Sequence, residues 1–132
     1  MDGYASATSS MSIGGLKVSL PSKQANVIMT DTEVLAKAPL NLLQAGIGDM
    51  LAKYLAICEW KIAHLVVGEY YCSRIAGMIM SSLEKCVSNL DGLIRRDEQA
   101  VANVFEGLVL CGVGMSLAGC SRPASGVEHY WA

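Results

Sequence analysis

Residues 107–121, GLVLCGVGMSLAGCS, carry no charged side chain. So apolar a stretch has to be hidden, and it is shorter than the roughly 20 residues that a bilayer-crossing helix needs. With Gly107, Gly112, Gly114, Ser116 and Gly119 inside it, it reads as the end of a helix buried on all sides or packed closely against another backbone. Upstream, Val101, Val104, Phe105 and Leu108 recur at three- and four-residue intervals, so this helix starts near Asp97-Glu98, whose charges suit the positive end of its dipole. The rest of the chain must supply its cover.

Two further segments have the matching pattern. Leu51, Tyr54, Leu55, Cys58, Ile62, Leu65 and Val66 form one apolar stripe, and Ile75, Ile79, Leu83, Cys86, Val87 and Leu90 form another. The first helix follows Pro39; the second closes at Asn89-Leu90-Asp91-Gly92, with glycine where a helix terminus favours it. Thr30 and Glu33 have capping-box spacing and open a short helix up to Ala38. Before it come small polar residues over 1–12, a Gly14-Gly15 turn, alternating Leu16, Val18 and Leu20, and an extended piece from Val27 to Met29. That pattern predicts a short strand or hairpin. The fold class expected is mainly α, a helical bundle over residues 32–132 preceded by a loop and β-hairpin over 1–31.

At 132 residues the chain is long enough for a real core, and 52% hydrophobic against 17% charged, with a mean hydropathy of +0.38, excludes a disordered chain. The apolar surplus implies that part of the surface is covered from outside, in a homo-oligomer or by the rest of a larger protein. Ten Lys and Arg against twelve Asp and Glu leave a net charge of -2, so there is no footprint for nucleic acid. Five cysteines without a C-x-x-C disfavour a disulfide framework or a zinc ribbon. No signal peptide and no membrane span are read, and the cytoplasm is the expected location.

Three segments hold side chains suited to chemistry. In Ala45-Gly-Ile-Gly-Asp49-Met-Leu-Ala-Lys53, two glycines that each cost about 1 kcal/mol in a helix predict a break or close approach, with Asp49 emerging beside a thin backbone wall. Alternatively, Asp49 is an N-cap and Lys53 its exposed ion-pair partner. In Ser121-Arg-Pro-Ala-Ser-Gly-Val-Glu-His129, Ser125 and Glu128 have capping-box spacing. His129 then falls in a first helical turn, where the dipole keeps the imidazole neutral and able to bind a metal; the alternative is a structural histidine. The third segment, Asp2-Gly-Tyr-Ala-Ser6, is a small-residue loop with one carboxylate. His64 reads as structural, and Trp60, Tyr70 and Tyr71 as core or interface material.

Taken together, Asp2-Gly-Tyr-Ala-Ser6, Ala38-Pro39, the Ala45–Lys53 string, Trp60 and the Ser121–His129 string resemble the glycerol-1-phosphate dehydrogenase family, within the iron-containing alcohol dehydrogenase and dehydroquinate synthase-like superfamily. The resemblance implies the C-terminal helical domain of the dehydroquinate synthase-like fold, with the nucleotide-binding domain absent. It implies Asp49 and His129 as catalytic groups and metal ligands, Asp2 and Asp49 as substrate contacts, and Ser6 near the nicotinamide. The cofactors implied are NAD or NADP and zinc or another divalent metal, and the substrate is a phosphorylated small molecule: glycerone phosphate, reduced to sn-glycerol 1-phosphate. Family members carry two more histidines after the one matched by His129, so a chain ending at Ala132 is expected to be an incomplete metal-binding domain, inactive alone. Competing readings are another polyol dehydrogenase, a dehydroquinate synthase-like lyase that would use Lys53 and Arg122 for a substrate carboxylate, and a non-catalytic helical assembly module.

Overall fold

The structure is a computed structural model that describes residues 5–127. Its elements are β1 (Thr8–Ile13), β2 (Leu16–Pro21), α1 (Thr32–Ala36), α2 (Leu40–Val67), α3 (Ser73–Ser88), α4 (Leu90–Ile94) and α5 (Glu98–Ala118). The chain is thus mainly helical with one β-hairpin in front. In the hairpin Ser9 pairs with Leu20 and Met11 with Val18, and Gly14 and Gly15 at φ 59° and 83° make the turn whose twist suits two-residue hairpins. Val27 to Met29 is loop rather than strand.

The charge-free helix is the axis. All four other helices pack on α5, and α2 also packs on α3. Val101, Val104, Leu108, Cys111 and Met115 of α5 are buried. Close approach is realised at Gly112, where an added Cβ would stand 2.6 Å from the Ala5 carbonyl carbon, and at Gly114, against Ile75 and Ile79. Burial is not complete: Leu117 remains 66% exposed. The helix itself extends from Glu98 to Ala118, long and apolar enough by length and composition to cross a membrane, so packing against four helices accounts for it where the length of the charge-free run did not.

The α2 stripe is corrected. Its inward residues are Met50, Lys53, Ala56, Ile57 and Trp60, whereas Leu51, Tyr54, Leu55, Cys58, Ile62, Leu65 and Val66 face outward. Both sets have three-and-four spacing and lie side by side on a helix that is apolar nearly all round, so periodicity alone does not choose between them. For α3 the reading holds in part: Ile75, Ile79, Leu83 and Cys86 are buried, whereas Val87 is exposed and Leu90, also exposed, belongs to α4.

Two helices also have other bounds than expected, and the start of α5 lies where it was expected. Asp31, not Thr30, caps α1, its carboxylate accepting from Glu33 N at 2.9 Å and Val34 N at 3.3 Å, and the helix stops at Ala36. Gly92 does not terminate α3, which ends at Ser88; it lies buried within α4, where a Cβ would meet Ala100 Cβ at 2.9 Å. Its role is close packing against the start of α5. Asp97 is the N-cap of α5, accepting from Ala100 N at 3.0 Å, with Glu98 in the first turn.

Candidate functional site

Asp49 sits well inside α2, which runs unbroken through Gly46 and Gly48. The expected break is therefore absent, and so is the N-cap role. Gly48 faces open space, while Gly46 faces α5, where an added Cβ would be 3.6 Å from Val104 Cγ1. Beside that thin stretch of helix lies a cavity of about 480 Å³ among Leu35, Leu42, Leu93, Val104, Phe105 and Leu108, with Asp49 the one charged residue among the described residues of its wall.

Lys53, one turn on, donates from Nζ to Asp49 Oδ1 at 2.8 Å. The pairing was legible, but its setting was not: the Lys53 side chain is 0% exposed and that of Asp49 27%. Lys53 belongs to the inward stripe with Met50 and Ile57, and an ammonium taken out of water needs a partner of opposite charge.

Ser6 is buried on α5, its Oγ 4.0 Å from Met115 Sδ, next to the Ala5–Gly112 contact. Met115 is about two helical turns from Leu108, which lines the cavity, and Ser6 does not line it. Asp2, Glu128 and His129 lie outside the described residues. The segment leading to His129 is firmly held: Pro123 and Ala124 are buried, and Arg122 donates to both Glu69 carboxylate oxygens, at 2.8 and 2.9 Å. The carboxylate beside it holds the Arg122 guanidinium above its ordinary pKa. Val127 N donates to Glu59 Oε2 at 2.9 Å. Ala124 N and Ser125 N both donate to Ser121 O, so this segment enters as a turn. Glu59 and Glu69, which anchor it to α2 and its following loop, belong to no motif and were not singled out in the sequence. His64 is structural: its exposed ring donates from Nδ1 to the Glu69 carbonyl at 2.7 Å.

Among the described residues no three His, Cys, Asp or Glu side chains come together, and the one expected ligand present, Asp49, already holds a buried ammonium. These residues alone do not make a metal site. Lys53 and Arg122, the two bases a carboxylate substrate would need, are both engaged in ion pairs.

No family model matches the chain. It is 36% identical over 131 residues to the glycerol-1-phosphate dehydrogenase, NAD(P)+, of Thermococcus sibiricus, and 37% identical over 131 residues to that of Thermococcus kodakarensis. The enzyme of the same name from Sulfolobus acidocaldarius is 39% identical over 132 residues. Each of these matches covers 99% of this chain. By sequence the chain is similar to a segment of each of these glycerol-1-phosphate dehydrogenases. It spans 37% of the length of each of these relatives, so the rest of a dehydrogenase of that length lies beyond the matched region.

Proposed function

We propose that the chain is the helical part of an NAD(P)-dependent sn-glycerol-1-phosphate dehydrogenase with the dehydroquinate synthase-like fold, acting on glycerone phosphate in the cytoplasm. The observation that carries this reading is identity of 36% to 39% to such enzymes across 99% of the chain. On this reading residues 1–31 hold the inter-domain loop and hairpin and 32–132 the metal-binding domain, the nucleotide-binding domain lying in the part of the relatives that the chain does not span. Asp49 and His129 contribute two metal ligands, Asp49 and Asp2 meet the substrate, and Ser6 lies toward the nicotinamide. A divalent metal held there would polarise the oxygen on C2, the hydride passing between the C2 carbon and the nicotinamide. The chain by itself supplies part of that site and is inactive.

A chimera tests this directly. Residues 1–132 replace the matching segment of the Thermococcus kodakarensis enzyme, and glycerone-phosphate reduction is followed by NAD(P)H oxidation. The chimera should turn over, and Asp49→Asn within it should lower kcat/KM by about a thousandfold, the order expected when a group stabilising developing charge is lost. Full activity in that variant would remove Asp49 from the chemistry.

We also propose that the chain is a homo-oligomer through the outward stripe of α2. Leu55 at 57% exposure and Leu65 at 72% lie on it with Tyr54 and Ile62, a continuous apolar face of the kind that marks contact surfaces. Sedimentation should show concentration-dependent association that Leu55→Glu with Ile62→Glu abolishes. A monomer at every concentration would count against it.

A further inference from the structure

We infer that Glu59 and Glu69 are positioning residues for His129, fixing the course of the segment that precedes it relative to Asp49; the inference rests on the reading that puts His129 and Asp49 in one site. Segment 121–127 is tied down at both ends by carboxylates from a distant part of the chain. Arg122 makes two parallel hydrogen bonds to Glu69, at 2.8 and 2.9 Å, a geometry that sets orientation as well as distance. At the other end Val127 N donates to Glu59 Oε2 at 2.9 Å, and a charged acceptor strengthens that bond. Both carboxylates favour the charged guanidinium of Arg122, Glu69 first by its hydrogen bonds and Glu59 by its charge across space. Between the two ends Pro123 and Ala124 are buried, and Ser121 O accepts from Ala124 N and Ser125 N. Glu59 stands on α2 ten residues after Asp49, about 15 Å along the same unbroken helix. That helix therefore carries Asp49 directly and, through Glu59, holds the backbone two residues before His129. The Arg122 and Glu69 side chains are 40% and 31% exposed, and ion pairs in contact with solvent add little to stability. What the two carboxylates contribute is geometry: they select one course for the segment, and displacing a reacting group by about 1 Å is enough to slow catalysis severely.

The test uses the chimera, in which glycerone-phosphate reduction, melting and amide hydrogen exchange are read on one protein. Glu59→Ala should lower kcat about tenfold or more, with KM within about twofold and the melting temperature within about 2 °C of the parent chimera. Glu59→Gln keeps an oxygen for Val127 N and should recover most of that loss. Glu69→Ala should act as Glu59→Ala does, and Arg122→Lys, a point charge in place of a planar fork, should lose most of what Glu69→Ala loses. Independently of activity, the Val127 amide should exchange about tenfold faster in Glu59→Ala and stay protected in Glu59→Gln. Unchanged kcat in both Glu59→Ala and Glu69→Ala, with His129→Ala inactive, overturns the positioning and leaves His129 in the site. Full activity in His129→Ala overturns that reading and the positioning with it. A fall in kcat that follows a fall in melting temperature makes the two carboxylates anchors of stability alone and also overturns the positioning.

Discussion

Gly112→Ala should lower the melting temperature by about 10 °C and detach the Ala5–Ser6 segment from α5. An alanine Cβ at this position would lie 2.3 Å from Ala5 Cβ, 2.6 Å from its carbonyl carbon and 2.8 Å from its carbonyl oxygen. Two of these are backbone atoms, which cannot rotate aside as a side-chain tip can. Helix propensity gains about 1 kcal/mol, but forcing the chains apart costs more, leaving a net loss of about 2 to 3 kcal/mol. Gly48→Ala is the internal control. It lies in α2 with nothing within 4 Å of the added Cβ, so it should stabilise by up to about 1 kcal/mol. Circular dichroism melts, with limited proteolysis of the N-terminal segment, would read both effects. A neutral Gly112→Ala would show that the segment does not rest on α5.

Trp60→Ala should have the largest effect in the core, about 3 to 5 kcal/mol. Trp60 is 0% exposed, its ring lies 4.7 Å from Tyr71 at 59°, and Nε1 donates to the Tyr70 carbonyl at 2.5 Å. It thereby ties the inward face of α2 to the loop that enters α3. Domains are commonly stable by only about 5 to 15 kcal/mol, so this loss brings the variant close to unfolding. Trp60→Phe keeps most of the ring contact and gives up the hydrogen bond, which sets its expected cost at about 1 to 2 kcal/mol. Urea unfolding midpoints separate the two, and equal stability of Trp60→Ala and the parent would contradict the core described.

How far the site could be read in advance depended on whether a residue's meaning was local. The Asp49–Lys53 spacing puts the two side chains on one helix face whatever surrounds them, and the structure joins them at 2.8 Å. That Lys53 is buried could not be seen, because a lysine between apolar residues is as compatible with a solvated face as with a paired interior. The two acids that anchor the segment before His129, Glu59 and Glu69, are 68 and 53 residues from their partners Val127 and Arg122. Nothing in their own neighbourhoods marks them.

By itself the sequence determined several of the local elements. Gly14-Gly15 favours the positive φ of a hairpin turn, Asp97 offers a carboxylate to the free N–H groups at the start of α5, and α3 has one apolar and one polar face, so its buried side is not in question. These depend on backbone sterics, nearby hydrogen bonds and periodicity, all of which act within a few residues. Only the tertiary structure decided which of two apolar stripes on α2 turns toward α5, why Gly92 and Gly112 have no side chain, and that the ammonium of Lys53 lies inside. Those outcomes are set by which surfaces meet when distant helices pack, and a stripe has the same spacing whether it meets a neighbour or faces outward.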